Sequence, residues 1–289
     1  MYTAENYSDN MRFNNQYQEL HDFLQAYADS GHNEHFHWGR LDWMMSIPYL
    51  DMGRLSKNAL FRDENGKLAG AALYDTDFGD RWYLLHAVSG ENLLRQMVQY
   101  VIETEDSAAP VKANLADTAL CGLLEKSGFE KQHTESVLEI ELPHTLSCPL
   151  PEGFSLSEPD AEIDTWQWQL VTYRGFNHEG TPGKLSAEDA EAERHLEIPA
   201  YIKVFAMKGG EYTAHCGVWY RHGDTAYIEP VVTVPEHRGK GLGRAVVYEA
   251  INRAGMRGAK RAIVLSDQEF YFHIGMTESS QVATWVKNS

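Results

Sequence analysis

The sequence predicts an α/β (α+β) chain built from two consecutive halves of similar order. Short runs rich in β-branched and aromatic residues alternate with longer runs whose apolar residues recur at three- and four-residue spacing. One order of segments occurs twice: helices, a hairpin, a third strand, a helix, a strand, a short helix ending in glycine, and a last strand. The 289 residues suffice for two ordinary domains.

The first half is predicted from apolar periodicity for its helices and from β-rich runs for its strands. In chain order we expect helices at 13–29 and 38–49, strands at 58–62, 68–75 and 82–88, a helix at 92–103, a strand at 111–115, a helix at 118–126 and a strand at 137–142. The sequence Asp63-Glu64-Asn65-Gly66 is a good hairpin turn between the first two strands. Gly128 is suited to the left-handed residue that ends a helix.

The second half is predicted in the same way, and Ser186 is expected to cap an acidic helix. In chain order we expect a strand at 154–158, helices at 165–176 and 187–196, strands at 201–207, 214–221 and 227–234, a helix from 242, a strand at 260–265, a short helix at 268–274 and a strand at 281–286. Two prolines and a glycine between 147 and 153 predict the boundary. The expected domains are therefore 1–147 and 154–289, joined by a linker at 148–153.

Composition limits the partners. The net charge of −17 argues against nucleic acid, because phosphate binding requires a basic surface, and it permits a cationic substrate. Three cysteines without metal-ligand spacing fit a reducing cytoplasm. The polar N-terminus lacks a signal-peptide pattern, and no apolar run is long enough for a membrane span. We therefore expect a cytoplasmic protein without a membrane partner, and a homodimer stays open.

The histidines give no clear metal signal. They are scattered along the chain, and the densest group is His32, His35 and His37. This group lies in a polar, turn-like stretch, which we expect to be a solvated loop, with a metal site as the lesser alternative. No metal is therefore expected.

The stretch 227–244, YIEPVVTVPEHRGKGLGR, is the centre of the functional prediction. A strand ends at Pro235, a glycine-rich turn follows, and an amphipathic helix begins at once. This layout directs backbone N–H groups and a helix N-terminus at a phosphate. Gly241 and Gly243 would let the backbone approach the anion closely, and neighbouring Arg and Lys residues add positive charge.

Three glycine signatures compete for this turn. Walker A requires Ser or Thr after the lysine, and Lys240 has neither. The Rossmann fingerprint meets Arg244 where its third glycine belongs. The remaining pattern is R-x-x-G-x-G at Arg238, Gly241 and Gly243, after a strand ending V-x-V-P. It resembles the acyl-CoA pyrophosphate loop of the GNAT superfamily of N-acetyltransferases, and an ordinary strand–helix turn is the alternative interpretation.

The resemblance extends over the whole second half and, more weakly, over the first. The first half resembles a degenerate copy: residues 123–129 look like the family's Y-x-x-x-G-F ending with Leu124 in place of Tyr. The segment from Ser89 to Asn92 stands where the glycine turn belongs and lacks both its charge and its glycines. The chain therefore resembles tandem-GNAT proteins, which implies two domains, each with a mixed, mostly antiparallel twisted sheet flanked by helices, and one competent acyl-CoA site.

The resemblance also implies the co-substrate and the residues that bind it. Acetyl-CoA is expected, without a metal. Backbone groups of the strand would pair with the pantetheine arm, and the turn would hold the pyrophosphate. The cofactor-binding residues so implied are Val231, Val232, Thr233, Arg238, Gly239, Lys240, Gly241, Leu242, Gly243 and Arg244.

Two catalytic residues follow from the same resemblance. Tyr271, four residues before Gly275, matches the family's proton donor in Y-x-x-x-G-F, with Met276 for Phe, and His273 is a rival. The base is expected at Glu229, because strand alternation puts one face through Tyr227, Glu229, Val231 and Thr233. The alternatives are that Tyr227 occupies the base position, or that Glu229 positions the ammonium or bonds Tyr227 while water takes the proton.

The function so implied is acetyl-CoA-dependent N-acetyltransfer to an amine of a small substrate, by direct attack in a ternary complex. The alternative is a non-catalytic acyl-CoA-binding module with a regulatory or interaction role. The residues near 175–184, where substrate selection is expected, carry no pattern that identifies the acceptor.

Overall fold

The structure is a computed structural model that describes residues 2–8, 11–27, 33–48, 50–77, 79–87, 90–104, 109–143, 145–221, 223 and 225–287. The described elements of the first half are β1 (Thr3–Asn6), α1 (Asn15–Tyr27), α2 (Trp38–Ser46), β2 (Ala59–Arg62), β3 (Leu68–Asp75), β4 (Arg81–His86), α3 (Glu91–Glu103), β5 (Val111–Asn114), α4 (Thr118–Lys126) and β6 (Phe129–Glu141). Those of the second half are β7 (Phe154–Leu156), α5 (Thr165–Gly175), α6 (Ala187–Arg194), β8 (Tyr201–Lys208), β9 (Glu211–Trp219), β10 (Ala226–Thr233), α7 (Leu242–Met256), β11 (Arg261–Ser266), α8 (Glu269–His273) and β12 (Thr277–Lys287).

These strands form one sheet in the order β1-β2-β3-β4-β5-β12-β6-β11-β10-β9-β8-β7. Its pairings are antiparallel except for two parallel pairs, β4 with β5 and β10 with β11. Each half thus contributes an antiparallel meander followed by one parallel neighbour. The predicted fold class and the internal repeat are confirmed, with the difference that the two halves share a continuous sheet.

The sheet is continuous because the last strand of each half pairs with the other half. β6, from the first half, lies between β12 and β11. β12, from the second half, lies between β6 and β5. The two halves are therefore held together by backbone hydrogen bonds as well as by side-chain packing.

Three apolar clusters fill the molecule. One lies under α3 and α4 of the first half, and a second lies under α7 of the second half. The third is shared: side chains of α1 and α2 pack there with Tyr201, Trp219 and Tyr227 of the second half. The interface between the halves is therefore a core, rich in aromatic residues, and it fixes the position of α2 relative to β10.

Most predicted elements are present, and two differences have clear causes. β6 begins at Phe129, eight residues before the predicted strand at 137, because its polar first half pairs along β12 and needs no apolar pattern. β1 and a 3₁₀ helix at Met52–Lys57 are short and were not predicted. Gly128 has φ of 84°, as its predicted role requires. Three predicted ends, Asp29, Tyr49 and Val88, lie outside the described residues.

Candidate active site

β10 and β11 pair at one end only and then separate. Their parallel pairing involves Ala226 with Ala262 and Tyr227 with Ile263. The other edge of β10 stays paired with β9 as far as Thr233. Among the described residues, the β11 side of 228–233 therefore has no strand partner. The backbone groups there that bind no side chain are open to an extended amide chain.

A bulge in β10 changes which side chains share a face. The pairing with β9 shifts between Ile228 and Val231, so one extra residue lies on β10. Tyr227 packs in the cluster shared by the two halves, whereas Val231 packs in the cluster beneath α7. The expectation that Tyr227, Glu229, Val231 and Thr233 lie on one face is therefore wrong, because the bulge interrupts the alternation.

The same bulge brings the Glu229 backbone close to β9. Its carbonyl accepts a hydrogen bond of 3.1 Å from Trp219 Nε1. A Cβ on Gly217 would lie 2.5 Å from this carbonyl oxygen and 2.3 Å from the Tyr201 hydroxyl. Only glycine fits at position 217, because the Glu229 carbonyl and the Tyr201 hydroxyl lie so close to it. These contacts fix the backbone that carries the Glu229 side chain.

The glycine turn has the backbone that an anion site requires. Gly239 and Gly241 have φ of 72° and 82°, a region that favours glycine. Gly241 is the residue before α7, and its helix start has no side-chain cap. The first N–H groups of any helix lack intrahelical partners, and Lys240 and Arg244 lie exposed beside them. The turn therefore combines N–H donors with nearby positive charge, and the Lys240 ammonium is held at the turn by the Glu236 carbonyl at 2.8 Å.

Arg238 is engaged with backbone groups. Its Nε donates to the Thr233 carbonyl at 3.0 Å, and its Nη2 donates to the Gly175 carbonyl at 2.8 Å. A Cβ on Gly175 would lie 2.4 Å from Val232 Cβ, so the end of α5 lies directly on β10. Arg238 thus fastens α5 to the end of the strand, a role that the motif did not indicate. Its assignment to CoA stays a prediction.

Glu229 meets residues of the first half. Arg40 Nη1 donates to Glu229 Oε1 at 2.6 Å and to Asp77 Oδ2 at 2.9 Å, and Arg40 Nη2 donates to Asp75 Oδ2 at 2.6 Å. One buried guanidinium therefore contacts three carboxylates. Oε2 of Glu229 is buried and has no hydrogen-bond partner among the described residues. We call Arg40, Asp75, Asp77 and Glu229 the carboxylate cluster.

The carboxylate cluster sets the acidity of Glu229. Burial raises the pKa of Glu229 to about 7. Arg40 opposes this rise, whereas the negative charges of Asp77 and Asp75 add to it. The nearby Tyr227 hydroxyl lowers the pKa of Glu229 by a smaller amount. It forms no ordinary hydrogen bond with Glu229 Oε2. Glu229 therefore changes protonation near neutral pH.

Arg40 reaches Glu229 because α2 lies tightly on β9 and β10. A Cβ on Gly39 would lie 2.4 Å from Trp219, so only glycine permits this approach. His37 accepts a hydrogen bond from Gly39 N at its Nδ1, which caps α2, and its ring stacks on Tyr227. The expectation of a solvated loop is therefore wrong for His35 and His37. Their side chains are only 3% and 2% exposed, because the two halves close over them. His32 lies outside the described residues.

Tyr271 lies on α8 in the cluster beneath α7 and is 7% exposed. Burial raises the pKa of its hydroxyl, and the charges of Cys216 and Glu229 add to the rise. Tyr271 therefore stays protonated at neutral pH and is close enough to Glu229 to sense its charge. His273, the rival donor, is exposed at the end of α8.

A cavity of about 640 Å³ opens between the two halves. Trp43, Ile47 and Asp77 of the first half line one side, and residues of α5, α6 and 176–185 of the second half line the other. Asp77 belongs to the carboxylate cluster, so the cavity reaches the surroundings of Glu229. The segment at 175–184, where substrate selection was expected, forms part of its wall.

The described ranges contain neither a candidate metal cluster nor a candidate membrane helix. No group of three or more His, Cys, Asp or Glu side chains is arranged there to hold a metal ion. We also find no helix there with the length and apolar character that a membrane span requires. The cytoplasmic location and the homodimer stay predictions.

Comparisons with known proteins agree with the fold. Residues 163–275 match the model of the acetyltransferase (GNAT) family. No curated protein sequence matches the chain. Among solved structures, a tandem GNAT protein from the clavulanic acid biosynthesis pathway, solved without AcCoA, covers 99% of this chain and 98% of its own, with 13% identity and a TM-score of 0.59.

Two further structures have the same fold. A GCN5-related N-acetyltransferase from Sphaerobacter thermophilus covers 99% of this chain and 95% of its own, with 15% identity and a TM-score of 0.56. Another from Kribbella flavida covers 77% and 88%, with 15% identity and a TM-score of 0.56. Residues 163–275 therefore form a domain that matches the acetyltransferase (GNAT) family. The chain has a tandem GNAT fold, and its second half carries the domain that the family model matches.

Proposed function

We propose that the chain transfers an acetyl group from acetyl-CoA to an amine by direct attack in a ternary complex. One observation carries the proposal: the open edge of β10, the glycine turn and a buried carboxylate with one unpaired oxygen occur together where β10 and β11 separate. Tyr271 senses the charge of that carboxylate from α8. These parts supply an anchor, a proton acceptor and a proton donor, which amine acetylation requires.

Binding of acetyl-CoA is assigned to backbone groups. Val231, Val232 and Thr233 offer the open strand edge to the amides of pantetheine. The turn from Gly239 to Gly243 and the N-terminus of α7 receive the pyrophosphate. Acetyl-CoA supplies a carbonyl carbon activated by its thioester, and the chain holds it in place.

Glu229 is assigned as the base. Arg40 holds Oε1, which leaves Oε2 to take a proton from the substrate ammonium. A pKa of about 7 suits a base at neutral pH, because an appreciable fraction is ionised and still binds a proton well. The neutral amine then attacks the acetyl carbon, the new C–N bond forms, and the C–S bond breaks.

Tyr271 is assigned as the acid that protonates the departing thiolate. Its raised pKa keeps the hydroxyl protonated at neutral pH, so a proton is available when the thiolate departs. Glu229 gains the first proton that the ammonium loses and later releases it to solvent. The nitrogen of the new amide loses a second proton, which returns to Tyr271, so the proton balance closes and CoA leaves as a thiol.

The first half is assigned no CoA site. Its parallel pair also separates, after Trp82 and Tyr83. There, however, His86 Nε2 lies 2.5 Å from Asp117 Oδ2, which joins the ends of β4 and β5. The helix that follows begins at Gly90 and Glu91, with an acidic first turn. Ser89 lies outside the described residues. We therefore expect one CoA per chain.

Thiol release from acetyl-CoA with a panel of amines, together with calorimetry of CoA binding, tests the proposal. Tyr271→Phe and Glu229→Gln should each lower kcat and kcat/KM alike by roughly a hundredfold, with little change in CoA affinity, because each removes a proton transfer. CoA binding without thiol release for any amine would favour the regulatory module. Wild-type rates in Tyr271→Phe would transfer the acid role to His273 or water.

A further inference from the structure

The cavity between the halves has a size typical of sites for small molecules. Its volume of about 640 Å³ lies within the range of roughly 300–1,000 Å³ common for ligand pockets. Aromatic and aliphatic side chains provide most of its wall, and the principal ones are Trp43, Ile47, Trp168, Tyr173, Phe176 and Leu185. Such a wall favours an apolar ligand, because polar groups placed against it would lose their hydration without compensation.

The charged part of the wall is mainly acidic. Asp77, Asp189 and Glu193 line the cavity, whereas lysine and arginine are represented in the described lining by Lys184 alone. Arg12 neutralises Asp189 at 2.5 Å, and Gln169 donates to Glu193 at 2.6 Å. An excess of negative charge attracts an ammonium group and disfavours a carboxylate.

The acidic end at Asp77 gives the ligand a direction. Asp77 Oδ2 and Glu229 Oε1 both accept from Arg40 Nη1, at 2.9 and 2.6 Å. An amine that enters beside Asp77 therefore comes next to the carboxylate assigned as base. The aromatic wall formed by α5 and the segment after it lines the same cavity and would contact the rest of the ligand.

We propose that this cavity is the acceptor site, and that the acceptor is a primary amine carried on an apolar, ring-containing body. This inference rests on the proposed N-acetyltransferase function and narrows its substrate class. Polyamines and amino sugars suit the negative charge of the cavity but not its apolar wall. A second ammonium or several hydroxyl groups would lose their hydration against the aromatic rings. Ring-bearing amines satisfy both ends of the cavity.

Four amines test the substrate class in the thiol-release assay with the full chain. We expect kcat/KM for 2-phenylethylamine and tryptamine to exceed that for spermidine and glucosamine by roughly ten- to a hundredfold, a difference that apolar pocket contacts ordinarily supply. Preference for spermidine or glucosamine would overturn the substrate class and leave the proposed function standing. Release of thiol with none of the four, while another amine of the panel is acetylated, would also overturn the substrate class alone. Release with no amine of the panel, while CoA still binds, would remove the proposed function and this inference with it.

Variants of the wall test the location. Tyr173→Ala and Leu185→Ala should each raise KM for 2-phenylethylamine about tenfold and leave KM for acetyl-CoA unchanged, whereas Tyr173→Phe should restore it by keeping the ring. Trp166→Ala is the matched control, since Trp166 is on the same helix as Tyr173, is 49% exposed and does not line the cavity. Unchanged KM in both alanine variants would place the acceptor elsewhere.

Discussion

At the scale of single residues, the carboxylate cluster explains what the first half contributes to the site. Burying an ion pair costs desolvation, and three carboxylates around one guanidinium leave excess negative charge, so the cluster is poorly suited to stabilising the fold. The same excess helps to raise the pKa of Glu229. We therefore interpret Asp75 and Asp77 as positioning residues that tune the base through electrostatics.

This interpretation predicts a change in pH dependence. For the wild type, kcat/KM should rise with pH and level off above about 7, as Glu229 loses its proton. Asp77→Asn removes a charge that raises this pKa, so the rise should move to lower pH. Arg40→Gln removes the opposing charge and should move it to higher pH. Initial rates between pH 5 and 9 measure both shifts.

A control separates this effect from a change in total charge. Glu64→Gln removes one negative charge from the exposed hairpin turn and should leave the pH profile where it is. If Asp77→Asn and Glu64→Gln have the same profile as the wild type, Asp77 does not tune Glu229. A shift of Asp77→Asn to higher pH would contradict the electrostatic argument outright.

The sequence predicted one member of this cluster. Glu229 could be proposed because it lies two residues before the expected pantetheine strand. Arg40, Asp75 and Asp77 were missed, since they lie in the other half and the fold alone brings them to Glu229. A signal was present, because Arg40 and Asp42 interrupt an otherwise apolar helix, and charged residues are rarely buried without partners.

At the scale of elements, the strand, turn and helix from β10 to α7 were predicted almost completely, because glycine, proline and apolar spacing are local signals. The bulge in β10 was not predicted. Pro230 indicated it, since a proline inside a strand ordinarily marks an edge or a bulge. Strand alternation was applied across this proline, which placed Tyr227 and Val231 on one face by mistake.

The turn offers a clean test of the pyrophosphate assignment at Gly243. Gly241 is a poor test position, because its φ of 82° strains any other residue. A Cβ on Gly243 would meet Thr233 Oγ1 at 3.5 Å and Phe270 at 3.6 Å, which are ordinary contacts. Gly243→Glu should therefore fold, since acidic residues suit a helix N-terminus, and should weaken CoA binding at least tenfold by charge repulsion.

Calorimetry of CoA binding and the thermal midpoint Tm measure the two effects separately. Gly243→Ala is the matched control, because it adds the Cβ without the charge, and we expect nearly wild-type affinity. Equal affinity for CoA in the Glu variant and the wild type would remove the pyrophosphate from this turn. A large fall in Tm in both variants would mean that Gly243 is required by the fold.

At the scale of the whole molecule, the order of elements was readable and the exchange of last strands was not. Apolar patterns define where a strand is, whereas the choice of partner depends on segments far apart in the chain. The proposed linker at 148–153 therefore separates the halves in sequence, while β6 and β12 cross between them in space. Leu146 is in addition held to α7 through Asn252.

The exchange predicts that the two halves unfold together. Trp285 lies on β12, the last strand of the second half, yet its side chain is 1% exposed within the core of the first half. Trp285→Ala should lower the free energy of unfolding by about 3–5 kcal/mol, the usual cost of emptying a large buried site. Trp166→Ala should change it by less than about 0.5 kcal/mol, since Trp166 is half-exposed.

Urea unfolding followed by fluorescence and by circular dichroism decides whether the effect is shared. Because Trp285 joins the core of one half to the backbone of the other, both signals should move together to lower urea in one transition. Two transitions, of which Trp285→Ala displaces only one, would mean that β12 stays paired with β6 when the first half has opened. In that case the halves are separate folding units, and the shared sheet does not couple them.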